Sequence, residues 1–106
     1  MILVRFLSEV CGSLVGFIME GHANYADIGE DIVCAAVSSA AYMTVNTITD
    51  IMKAEADVTV DDGKMFVRIA ADDAVRCRDI FMGFKLHLIG LEEQYPNHIQ
   101  VHYMEV

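Results

Sequence analysis

Proline occurs once in the 106 residues and tryptophan not at all. A single proline, Pro96, excludes a Pro-rich segment, and no Gly/Ser linker, repeat or low-complexity tract divides the chain. Cysteine is sparse and odd in number: Cys11, Cys34 and Cys77, with no C-x-x-C pair. That rules out a disulfide framework and leaves no zinc-ligand quartet, so neither a metal nor another cofactor is expected. Basic residues are scarce beside acidic ones, 7 against 16, for a formal net charge of −9. A surface of that sign repels phosphate backbones, which argues against direct nucleic-acid binding, and it attracts basic peptides or proteins.

The opening residues are not expected to act as a secretion signal. The run "MILVRFLSEVCGSLVGFIMEG" has one basic residue, Arg5, buried inside its apolar stretch, and Glu9 interrupts it before any cleavage-like site. With no paired thiols, a reducing cytoplasmic compartment is expected. The apolar run from Ile32 to Val45 is short for a bilayer span and carries serines, so no membrane association is expected.

Hydrophobic residues make up 55% of the chain and charged residues only 22%. Residues 1–106 therefore suffice for one domain with a real core, and the apolar excess points to further burial in an oligomer. Residues 2–10 and 13–20 read as strands joined by a turn at Cys11-Gly12-Ser13. A polar loop covers 21–30. From Asp31 to about Lys53, residues Val33, Ala36, Val37, Ala40, Ala41, Thr44 and Ile48 recur at helical spacing. Residues 55–60 and 64–70 flank Asp61-Asp62-Gly63, a hairpin signal.

A second helix is expected to be capped by Asp72 or Asp73, with Ala74, Cys77, Phe81, Phe84, Leu88 and Leu91 as its buried stripe. Ile80, Met82, Leu86 and Ile89 fall off that stripe, a pattern expected of a helix that meets a second subunit. After Pro96, Ile99, Val101 and Tyr103 alternate with His98, Gln100 and His102 in a last strand. The order β-β-α-β-β-α-β predicts an α+β fold with a mainly antiparallel sheet and two helices.

The segment "GHANYADIGEDIVCAAVSSAA" (21–41) carries chemistry or only a core helix. If Glu30 or Asp31 caps the helix, Cys34 lies in its first turn, where free N–H groups and the dipole favour a thiolate. Asp31, Cys34 and Ser38 share one helical stripe. His22 is a candidate base, Asp31 the group that would orient it, and Ser38 a hydroxyl that donates to substrate or to its own helix. Gly21, Ala23 and Gly29 would allow the loop to close over an extended peptide. A plainer alternative also fits the residues: Cys34 as a small core residue, Asp31 as a cap, His22 as a solvated or capping strand end. Cys77 is assigned to the core and Cys11 no role; His87, His98 and His102 read as solvated.

The block Gly21, His22, Ala23, Gly29, Asp31, Ile32, Val33, Cys34, Ala35, Ala36, Val37, Ser38 resembles the signature of the ribosomal-processing cysteine protease family (Prp). The segment "GLEEQYPNHIQV", with Leu91, Tyr95 and Pro96, resembles that family's C-terminal part. The resemblance implies a homodimeric cysteine endopeptidase that removes the N-terminal extension of a large-subunit ribosomal protein. It makes Cys34 the nucleophile, His22 its base, and Asp31 and Ser38 supporting residues. Two other readings stay open: a non-catalytic ribosome-associated binding or assembly module, and a thiol enzyme of another reaction class. A redox role is the weaker form of the latter, since no resolving cysteine lies near Cys34.

Overall fold

The computed structural model of the chain describes residues 1–21 and 28–106, with side chains from residue 32 onward in the second span. Its elements run β1 (Ile2–Ser8), β2 (Leu14–Glu20), α1 (Ile28–Asn46), β3 (Ala56–Asp61), β4 (Lys64–Ile69), α2 (Arg78–Gln94) and β5 (Ile99–Glu105). The α+β class and the element order are those expected from the sequence.

The strands form one sheet in the order β3-β4-β2-β1-β5. Three pairings are antiparallel; β5 joins β1 in parallel. Period-two alternation sorts each strand into two faces. Ile2, Val4 and Phe6 of β1, Val15 and Phe17 of β2, Met65, Val67 and Ile69 of β4 and Ile99 of β5 are buried together. Onto this face α1 lays Val33, Val37, Ala41 and Thr44, the turn that follows it lays Ile48, and α2 lays Phe81, Phe84 and Leu88. The Phe84 ring sits 4.8 Å from that of Phe17 and 5.7 Å from that of Phe6. The opposite face stays wetter, with an Arg5–Glu20 ion pair across the β1–β2 register. One buried hydroxyl, Thr44 Oγ1, is satisfied by donating to the Ala40 carbonyl at 2.8 Å.

Several boundaries depart from expectation. β1 stops at Ser8 rather than residue 10, because the Glu9 N–H turns to Ser13 O (2.9 Å) and the Gly12 N–H to Glu9 O (2.8 Å). That leaves Val10 exposed. α1 is already helical at Ile28, so neither Glu30 nor Asp31 stands outside it as a cap. At its far end the helix widens into a π-helical turn, Thr47–Ile51, and ends where Lys53 takes φ +57°.

Asp72 and Asp73 do not cap α2. They lie in a 3-10 turn, Ala71–Asp73, and α2 begins only at Arg78, behind Cys77, whose side chain makes no capping bond. Ala74 and Cys77 are nonetheless buried, as expected for the stripe. His98 precedes β5 rather than sharing its face; its carbonyl accepts the Ile2 N–H at 2.9 Å.

The helical run Ile32–Ile51 is long and apolar enough, by length and composition, to cross a bilayer, which corrects the expectation of a run too short. In this fold its apolar face serves as core instead: Val33, Val37, Ala41 and Ile48 are fully enclosed against the sheet.

Candidate active site

Helical geometry sets the site. One position on from the buried Val33–Val37–Ala41 row lies the row Cys34, Ser38, Tyr42, rotated by about 100° and so placed at the edge of the buried face. Cys34 and Ser38 are half-buried and Tyr42 is exposed. This edge of α1 looks onto the tip of the β3–β4 hairpin and the end of β2. Between them is a cavity of about 230 Å³, walled by Cys34, Ser38 and Tyr42 on one side and by Met19, Gly21, Val60 and residues 61–65 on the other.

Gly21 ties the end of β2 to this cavity. Its N–H donates to the Gly63 carbonyl at 2.9 Å, and its φ of +95° belongs to the region that glycine alone enters without strain. A Cβ at this position would lie 2.3 Å from the Met1 carbonyl oxygen. The backbone therefore leaves β2 beside Cys34, and the next residue in the chain is His22. His22 and Ala23 lie outside the described residues, and Gly29 and Asp31 are described only as helical backbone. The structure thus brings Cys34, Ser38 and Gly21 to one cavity. The orienting role of Asp31 and loop closure fall outside what it describes.

One expectation for Cys34 is corrected. With α1 starting at Ile28, Cys34 is its seventh residue rather than a member of the first turn. The four free N–H groups of a helix start lie before it, and its own N–H belongs to the intrahelical ladder.

The other two thiols contrast with it. Cys77 is enclosed, and burial, then the nearby Asp73 carboxylate, push its pKa up. Cys11 is exposed on the β1–β2 turn, and hydrogen bonding with Ser13, its hydroxyl first, holds the thiol below its usual pKa. Among the described residues, no group of three or more His, Cys, Asp or Glu is placed to hold a metal.

Tyr42 was missed in the sequence, although its spacing of eight from Cys34 was a usable signal. The hairpin wall was not legible there, because it depends on β4 pairing with β2 rather than on anything local.

Comparison with known proteins adds independent observations. A family model described as cysteine protease Prp matches residues 1–100. The ribosomal processing cysteine protease Prp of Staphylococcus aureus is 30% identical over 94 residues, covering 87% of this chain and 89% of that protein. A crystal structure of the ribosomal processing protease Prp from S. aureus with a substrate peptide superposes with a TM-score of 0.89 at 28% identity, over 98% of this chain and 100% of that one. A second, with a covalently linked product peptide, gives 0.85 at 29% identity over the same shares.

Proposed function

The chain belongs to the cysteine protease Prp family, and from that premise we propose that it removes the N-terminal extension of a large-subunit ribosomal protein, with Cys34 as nucleophile and His22 as base. The observation that carries this reading is the shared cavity: Cys34 lines it, and so does Gly21, the residue immediately before His22. Residues 1–106 act as one catalytic domain in the cytoplasm. The substrate is a peptide, the kind of molecule that the S. aureus proteins of the same fold hold in their crystals.

The steps follow from the side chains. His22 takes the Cys34 proton, and the thiolate attacks the scissile carbonyl to give a tetrahedral oxyanion. Collapse expels the amine, protonated by the imidazolium, and leaves an acyl-enzyme. Water deprotonated by His22 then frees the cut end. Asp31 holds the imidazole tautomer, and Ser38, one turn along from Cys34, donates to a substrate oxygen. The loop hinged at Gly21, Ala23 and Gly29 closes over the bound peptide. The net charge of −9 draws in a basic ribosomal protein.

The active unit is a homodimer. Supporting this, Met82 and Leu86 are exposed on α2, and an apolar groove of about 620 Å³ runs between α1 and α2, past Ala36, Ala40, Ile80 and Phe84.

The test is to incubate the protein with the unprocessed ribosomal protein of the same organism, with and without a thiol alkylating agent, and weigh the products. Trimming that alkylation stops and that Cys34→Ala abolishes, in a protein of unchanged circular dichroism, is the expected result. An undiminished cut by Cys34→Ala removes the nucleophile assignment. No cut by the unmodified protein returns the chain to the reading of a non-catalytic ribosome-associated module.

A further inference from the structure

A second cavity, of about 490 Å³, opens between the β1–β2 turn and the first half of α2. It lies at the far end of the β1–β2 pair from Cys34: Ser8 and Leu14 line it, whereas Met19 and Gly21 line the other. At about 3.3 Å per residue, the strands between them set the two roughly 20 Å apart.

Its walls carry opposite chemical assets. On the turn side are the exposed Cys11 thiol and the Ser13 hydroxyl, 3.4 Å apart. On the helix side are two of the chain's 7 basic residues, Arg78 and Lys85. Lys85 Nζ stands 5.0 Å from the centroid of the Tyr103 ring, a cation–π contact that keeps the ammonium at the wall. Arg78 Nη1 reaches Asp79 Oδ1 at 3.3 Å, but both side chains are largely in solvent, so the pair binds the guanidinium weakly. Glu9, two residues before the thiol, is the acidic group that opposes its ionisation. In a chain of net charge −9, the lining of this cavity carries two cations, an accessible thiol and no acidic side chain.

We propose that this cavity is a thiolation site, where Arg78 and Lys85 receive the carboxylates of a small anionic disulfide and Cys11 exchanges with its sulfur. The Cys11 thiolate attacks one sulfur; a new S–S bond forms to Cys11 as the old one breaks. The other half leaves with the electron pair as a thiolate and takes up the proton that Cys11 released. The disulfide itself is the oxidant. Hydrogen bonding with Ser13, which lowers the thiol's pKa, raises the reactive fraction at neutral pH. The site is independent of the peptidase reading.

The experiment compares oxidised glutathione, which is anionic, with cystamine, which is cationic. Each is incubated with the reduced full chain, and adducts are assigned residue by residue by peptide mapping, so that Cys34 is counted separately. Rates are referred to those of free cysteine with the same two reagents. Cys11 should favour oxidised glutathione by roughly tenfold at low salt, and the preference should shrink as salt is added. The double variant Arg78→Gln/Lys85→Gln should lose the preference, and the charge-keeping pair Arg78→Lys/Lys85→Arg should retain it. Three results would overturn the proposal: no adduct on Cys11, equal normalised rates for the two reagents, or a preference that the neutral double variant keeps.

Discussion

Two glycines on the same strand pair separate backbone strain from steric conflict, and so test whether the exit from β2 matters to the chemistry. Gly12 has φ +93° and nothing within 4 Å of where a Cβ would stand; Gly21 has φ +95° and the Met1 carbonyl oxygen at 2.3 Å. Gly12→Ala therefore incurs the conformational cost alone, roughly 1–3 kcal/mol. For a domain of this size that lowers Tm by about 4–8 °C per kcal/mol. Its turn lies at the other end of the strands from Cys34, so trimming of a substrate peptide should proceed at the normal rate.

Gly21→Ala adds a collision with backbone, which nothing relieves short of moving Gly21, just past β2, or Met1, just before β1, by about 1 Å. Displacement on that scale costs a reacting group roughly a hundredfold in rate. It would also loosen the Gly21 N–H bond to Gly63 at 2.9 Å, which seats the chain at the hairpin tip. Urea unfolding and kcat/KM on the same peptide are the two assays. Gly21→Ala should unfold earlier than Gly12→Ala and be at least tenfold slower in kcat/KM. If the two variants match in both measurements, the strand exit does not position His22, and the reasoning from this cavity fails.

Phe84→Ala would remove the ring that joins Phe6 and Phe17 beneath α2, and at 3% exposure it should cost about 3–5 kcal/mol in urea unfolding. A loss under about 1 kcal/mol would mean the helix is held elsewhere. The raised pKa of Cys77 gives an alkaline signature. Above the unfolded thiol's value of about 8.5 the unfolded chain releases a proton that the folded one keeps, so stability falls as pH rises through that value. Cys77→Ala should flatten that part of the curve of stability against pH; an unchanged curve would assign the alkaline loss to other groups.

What could be read in the sequence follows how local each determinant is. Alternation in β1, β4 and β5 and the four-residue steps of Val33, Val37 and Ala41 are local, and each element appears where its pattern lies. The Asp61-Asp62-Gly63 hairpin is local too, with Gly63 at φ +74°. The starts of both helices were misjudged for one reason. Acidic residues look like caps, yet hydrogen bonding around Ala71–Cys77 and the early helix at Ile28 place Asp73 and Asp31 in turns or inside a helix instead. The parallel β1–β5 pairing needs a connection through the whole domain, and nothing in either strand announces it. For the site, spacing placed Cys34 beside Ser38, whereas the opposing wall from β3 and β4 required the sheet order.

The later position of Cys34 in α1 changes what must activate it. A helix dipole acts within its first turn, and Cys34 is beyond that turn. The charged side chains that line its cavity are of both signs, Lys64 beside Asp61 and Asp62. A thiol attacks chiefly as its thiolate, so a base must take its proton. On the proposed reading that task falls to the imidazole of residue 22, whose charged form would pair with the thiolate as it arises. Nucleophilicity then depends on where the chain leaving Gly21 carries its next side chain. The hydrogen bond from Gly21 to Gly63 fixes the end of β2 against the β3–β4 hairpin, which forms the facing wall of the cavity, one residue before the proposed base.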